Sequence, residues 1–230
     1  MQGHGRQENA DEGDEVSLEE SDALQRQREE RAVLTEAFRL DSYRKLFRQY
    51  AKIYDPANPK EIGVYPWQED FHNQGATWPT RVLMSANQVG KSRTASAEIA
   101  IHATGEYPKW WKGKRFTEGV RIWTGALTSE KSKDVIQSAL LGPVGQWGTG
   151  WIPASRIIGK PRMRQAGVGD VVDTIYVKHT SGTPSSIGLK TYEQGRESWQ
   201  GVSQDVIWLD EEAKLDVYSE AITRLVATNG

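Results

Sequence analysis

Eight residues, Ser85-Ala86-Asn87-Gln88-Val89-Gly90-Lys91-Ser92, constrain this chain more than any others. They sit between a short apolar run, Arg81-Val82-Leu83-Met84, and an Ala-rich stretch from Lys91 to Thr104 that stops at Gly105. The run predicts a buried strand, and the stretch a helix closed by a glycine just past its end. A strand, a loop and a helix in that order form the setting of a phosphate loop, GxxxxGK followed by Ser or Thr. The first amides of a helix have no partner within it and point at whatever anion lies beyond its end. Gly90 allows close approach of the backbone, Lys91 adds a point charge between the outer phosphates, and the Ser92 hydroxyl is a hard oxygen ligand for magnesium. The first motif position holds Ser85 where the pattern has glycine. A surface turn that merely carries Gly-Lys-Ser is the bland alternative.

A second element answers the first. Val206-Ile207-Trp208-Leu209 is a short apolar strand that runs into Asp210-Glu211-Glu212. A buried strand delivers the residue after it to its carboxyl end, where open α/β sheets bind ligands. Asp210 is therefore placed to hold magnesium, and Glu211 to polarise an attacking water. Glu212 reads as a solvated charge at a helix start, and Asp216 as helix surface. Ser92 and Asp210 are 118 residues apart, in the order such a site requires.

The rest of the chain alternates in the same manner. Strands are predicted over 120–126, 171–177, 186–191 and 206–209, and helices over 129–141 and 215–227. The strands at 171–177 and 186–191 read as a hairpin-like pair about Ser181-Gly182-Thr183-Pro184. Residues 142–170 are rich in Gly and Pro and read as loop. Strands separated by helices argue an α/β domain on a mainly parallel sheet flanked by helices. Before it, residues 17–60 form a helical extension, either a brace packed on the main domain or a docking arm. Residues 1–16 are polar and acidic and read as a disordered tail. The remaining domain is 61–230.

The chain has 230 residues, net charge −2 and no cysteine, which excludes disulfides, thiolate metal sites and cysteine nucleophiles. Residues 1–36 carry −7 and the rest +5, so the bulk of the chain is mildly basic. No apolar run approaches the ~20 residues of a membrane helix. The four histidines, His4, His72, His102 and His179, show no metal-ligand spacing. Gln68 in Tyr65-Pro66-Trp67-Gln68 offers donors and an acceptor that match the edge of adenine, with Tyr65 or Trp67 to stack on it. Aromatic packing at a helix start explains the segment equally well. Glu193-Gln194-Gly195-Arg196-Glu197-Ser198-Trp199-Gln200-Gly201 has little to bury and reads as a solvated linker. Lys160, Arg162 and Arg164 read as a solvated basic loop, with contact to DNA phosphates the sharper alternative.

Taken together, the motifs resemble a known family. ANQVGKS after an apolar strand is similar to the deviant Walker A loop of the large terminase subunits of tailed phages. YPWQEDFHNQG resembles their adenine segment, YEQGRESWQGVSQDVIWLDEEA their approach to Walker B, and GEYPKWWKGKRF is typical of them. The resemblance implies an ASCE-type P-loop ATPase fold and Mg²⁺-dependent, ATP-driven packaging of double-stranded DNA into a procapsid. It implies as partners a portal protein, a small terminase subunit and copies of itself in a ring. It implies a location in the host cytoplasm, transiently at the portal, with no membrane. Lys91, Ser92, Asp210, Glu211 and Gln68 take the family's phosphate, magnesium, Walker B, catalytic and adenine roles. Some members carry an arginine inside the loop where this chain has Asn87. A member would also continue past Gly230 into a coupling motif, further strands and a nuclease domain, so the expectation is an incomplete motor. The alternatives are a helicase-like translocase and a catalytically silent nucleotide-binding remnant.

Overall fold

The computed structural model describes residues 11–58, 63–165 and 169–226. It separates into two compact units, 1–39 and 40–230. The helix α1 spans Asp11–Ala51. Residues 11–16, assigned by composition to the tail, form its first turns; an acidic sequence suits the positive end of a helix dipole. Residues 1–10 lie outside the described residues. Within the first unit the described side chains of residues 21–35 are all exposed, Leu24, Val33 and Leu34 included.

The second unit is an α/β fold on one five-stranded sheet. Its strands are β1 Arg121–Ala126, β2 Arg162–Met163, β3 Val172–Lys178, β4 Pro184–Thr191 and β5 Val206–Leu209, in the order β2-β3-β4-β1-β5. β1 is parallel to both β4 and β5, whereas β3 is antiparallel to β4 and to β2. The sheet is thus mixed, which corrects the mainly parallel expectation. The reason is local: five residues join β3 to β4, enough for a hairpin and too few for a crossover.

The helices are α2 Pro66–Asn73, α3 Lys91–Thr104, α4 Ser129–Lys131, α5 Ser138–Leu141 and α6 Leu215–Leu225. A π-helical stretch, Ser132–Gln137, joins α4 to α5, so 129–141 is helical throughout as predicted. Gly105 closes α3 in the left-handed conformation (φ 72°). The inner face of α3 (Ala97, Ile99, Ala100, Ile101, Ala103) joins the buried residues of β1, β3 and β4 in the main core. Aromatic side chains extend it: Trp110 donates to the Tyr50 carbonyl, and Tyr50, His72, Trp110 and Trp111 meet at ring-centroid distances of 5.0–5.8 Å.

The main departure from the sequence lies at 81–84. This run is extended chain without strand pairing, with Val82 77% and Met84 88% exposed. A strand needs a hydrogen-bonded neighbour, and among the described residues the sheet ends at β5 with nothing paired to that edge. The apolar pattern is present but the ladder that would bury it is not.

Candidate nucleotide site at the carboxyl ends of the parallel strands

β1, β4 and β5 run in one direction, so the residues after Ala126, Thr191 and Leu209 emerge at one edge of the sheet. An open cleft of about 1340 Å³ reaches that edge. Asn87, Gln88, Gly90, Lys91 and Ser92 line one part of it, and Asp210, Glu211 and Glu212 another. The loop is a turn that enters α3 directly. Gln88 and Gly90 both have positive φ (63° and 98°), and Gly90 is the residue before the first helical turn, with no side-chain cap. The first amides of α3 are therefore left to a ligand or to solvent. Lys91 Nζ folds back to donate to the carbonyls of Ser85 (2.8 Å) and Ala86 (2.7 Å), which fixes the curl of the loop. Val89 is exposed on its outer side.

Asp210 is anchored through its backbone. Its amide donates to the Gly125 carbonyl (2.8 Å) and its carbonyl accepts from the Tyr192 hydroxyl (2.8 Å), which also reaches Gly125 O (3.2 Å). Tyr192 is held in turn by Trp199, Val217 and Ala221 in a second buried cluster. Gly125 makes this packing possible, because a Cβ there would lie 2.6 Å from Trp199 and 2.8 Å from Tyr192. Partial burial raises the Asp210 carboxyl above its ordinary value, the neighbouring Glu211 raises it further, and Lys131 and Lys91 pull it back. Lys91 and Asp210 thus stand close enough to feel one another's charge. Glu211 is exposed, in the left-handed conformation (φ 61°), with Lys131 Nζ 4.0 Å from its carboxylate.

The chemistry of these groups suits a magnesium–polyphosphate guest. Two adjacent carboxylates, one half-buried, repel each other and gain from a cation between them and an anion. Among the described residues no three His, Asp or Glu side chains gather as a metal cage. Magnesium needs no such cage, since it keeps waters and uses one or two protein oxygens plus phosphates.

Other predicted residues are placed differently. Gln68 is buried and its amide is engaged: Oε1 accepts from Tyr65 N (3.0 Å) and Nε2 donates to Thr94 Oγ1 (2.7 Å), which donates to Gly90 O (2.9 Å). It braces the loop from behind. Tyr65 is exposed, with its ring 5.0 Å from that of Tyr54. The 193–201 segment is not a solvated linker. Trp199 is fully buried beneath β1, and Arg196 pairs with Glu220 (3.0 Å). Composition misled here because one large aromatic side chain outweighs many small polar neighbours. The basic cluster divides: Lys160 and Arg162 are exposed, whereas Arg164 bonds Ser129 Oγ (2.9 Å) and Leu189 O (2.8 Å).

Gly125 was not marked by the sequence, and Tyr192 and Glu193 were marked only as the head of the YEQGRESWQG run, with no role of their own. Nothing in their spacing signals that three strand ends converge on them. Glu193 Oε1 accepts from both the amide (2.9 Å) and the hydroxyl (2.8 Å) of Ser129.

Fold and site together define an α/β domain in which a lysine-bearing loop at a helix start and a carboxylate at a strand end line one cleft. Residues 82–230 match the family described as "Terminase large subunit, T4likevirus-type, N-terminal". The chain belongs to that terminase large-subunit family. It is also 36% identical over 184 residues to the "Terminase, large subunit" of Salmonella phage P22. That match covers 71% of this chain and 36% of the relative, so it spans about a third of the relative's length. No solved structure matches the chain.

Proposed function

We propose that residues 61–230 are a P-loop ATPase domain of the ASCE type that binds and hydrolyses ATP with Mg²⁺. On this reading it serves a terminase large subunit that drives double-stranded DNA into a procapsid in the host cytoplasm. Its partners there are the portal, the small subunit and further copies in a ring, and residues 17–60 are its helical extension. The observation that carries the reading is the lining of one cleft by Lys91 and Ser92 on the loop and by Asp210 and Glu211 on the β5 end. Among the described residues no helix is long and apolar enough to cross a membrane.

Each residue has a task. The free amides at the start of α3 and the Lys91 ammonium bind the phosphates. To do so, Lys91 exchanges the Ser85 and Ala86 carbonyls for phosphate oxygens, all of which are acceptors. Ser92 and Asp210 would hold the magnesium, which would supply positive charge to the phosphates. Glu211 orients the attacking water and takes its proton. Tyr65 offers an exposed ring for the base, and Gln68 supports the loop through Thr94.

The test pairs two variants in the full-length protein. Lys91→Ala should remove ATP binding. Glu211→Gln should keep binding within a few-fold and lose turnover by roughly 10²-fold or more. Unchanged ATPase in a folded Lys91→Ala protein refutes the assignment of the loop. Equal turnover with Gln at 211 moves the base elsewhere. A second reading, nucleotide binding without turnover by this chain alone, is favoured by the 81–84 segment, which leads into the loop without strand pairing. ATP titration beside phosphate release separates the two.

A further inference from the structure

The turn after β1 is built with more care than a surface turn needs. Thr128 Oγ1 accepts from the Lys131 amide (3.3 Å), and the Thr128 carbonyl accepts from Ser132 N (3.0 Å). Ser129 is tied to Glu193, after β4, through both its amide and its hydroxyl, and Arg164 donates to the same hydroxyl. Residues just past the ends of β1, β2 and β4 (Thr128, Arg164 and Glu193) thus converge to fix one short helical turn. The helix then passes into the π-helical stretch Ser132–Gln137, a rare geometry that is frequent at functional sites. From this turn Lys131 projects to the end of β5, with its ammonium 4.0 Å from Glu211 Oε1.

Glu211 itself has a strained backbone, a non-glycine residue at φ 61°. Strain of this kind persists where the surroundings over-determine it, and such places are commonly sites of chemistry. Asp210 is fixed by Tyr192 and Gly125, but those bonds end at the Asp210 carbonyl. Glu211 Oε1 has Lys131 as its ion-pair partner.

We propose that Lys131 is a positioning residue for Glu211: presented by a turn pinned across three strand ends, its ammonium sets where the Glu211 carboxylate stands and so where the attacking water is held. This rests on the hydrolytic reading of the site. Hydrolysis forms a bond from the water oxygen to the γ-phosphorus as the bond to the β,γ-bridging oxygen breaks. ADP leaves with that electron pair, and the water's proton passes to Glu211. Lys131 acts on this step through Glu211, by holding it in line with the water; its weaker pull on the Asp210 carboxyl bears on the metal side and should appear equally in ADP binding.

An exposed ion pair contributes little to stability, so the pair should matter to chemistry far more than to folding. The experiment uses binding of ADP, and of ADP with aluminium fluoride, which mimics the transferring phosphoryl group, in the presence of Mg²⁺. Wild type, Lys131→Ala, Lys131→Arg, Glu211→Gln and the Lys131→Ala/Glu211→Gln double variant are compared. ADP affinity should stay within about threefold of wild type in all of them. The extra affinity that aluminium fluoride confers should fall roughly tenfold or more in Lys131→Ala, as a misplaced group costs. It should recover in large part in Lys131→Arg. In the double variant the loss should equal that of Glu211→Gln alone, because Lys131 then has nothing to position.

Additive losses would show that Lys131 acts independently of Glu211 and would overturn the proposal. So would an undiminished fluoride effect in Lys131→Ala, or a wild type that binds ADP without any such effect. Failure of the wild type to bind ADP at all would refute the nucleotide reading first, and this inference with it.

Discussion

Tyr192→Phe isolates the bond that ties the carboxylate end of β5 to the sheet. The ring stays, with its packing against Trp199, and only the hydroxyl is lost. That hydroxyl donates to Asp210 O at 2.8 Å and reaches Gly125 O at 3.2 Å. Gly125 O keeps its bond from the Asp210 amide (2.8 Å), so the Asp210 carbonyl bears the loss. An acceptor left short of its donor in a partly buried place costs about 1–2 kcal/mol. For a folded unit of this size each kcal/mol lowers Tm by roughly 2–4 °C, so the midpoint should fall by about 2–8 °C. The looser strand end should also weaken the magnesium-dependent part of ATP binding by about fivefold, the equivalent of roughly 1 kcal/mol. Scanning calorimetry and ATP titration with and without Mg²⁺ measure both, and Tyr176→Phe, at an exposed position of β3, is the control. A Tyr192→Phe protein with an unchanged midpoint and unchanged magnesium dependence refutes the reasoning.

Asp210→Asn should stabilise the nucleotide-free protein at pH 7 while abolishing magnesium-dependent turnover. The folded pKa is raised, so ionisation opposes folding once pH exceeds the unfolded value, and calorimetry of the variant should show a higher midpoint. Glu98 behaves in the opposite sense. Burial alone would push its carboxyl up, but hydrogen bonds from His102 and His72 outweigh that and hold it well below its ordinary 4.5. The stability it contributes is full above about pH 4.5 and is lost as pH falls through the depressed folded value. Glu98→Gln should therefore destabilise at pH 7 by about 3 kcal/mol, stranding Arg81 and the two histidines, and should flatten the acid limb of a pH–stability curve. Gly125→Ala places a methyl 2.6 Å from Trp199 and should cost about 1–3 kcal/mol in urea unfolding.

The chain order alone determined much of this protein. The helix from Lys91 to its glycine stop, the β1 and β5 strands and the helix after β5 each follow from local periodicity and end signals, which act over a few residues. That Lys91 and Asp210 would meet at one cleft was legible for the same reason: each half is a local motif, and their order restricts the folds that can join them. What the tertiary structure decided depends on neighbours distant in sequence. Val82 and Met84 read as a buried strand, yet burial belongs to a ladder, and no strand stands beside them among the described residues. Gln68 has the donors and acceptor of a base reader, but Tyr65 and Thr94 engage both ends of its amide. Trp199 looked like part of a polar linker until Gly125 left room for it under β1. Tyr192, Glu193 and Lys131 have no role that local pattern reveals; they converge because three parallel strands end at one edge, and the direction of a strand is fixed by its pairing rather than by its own residues.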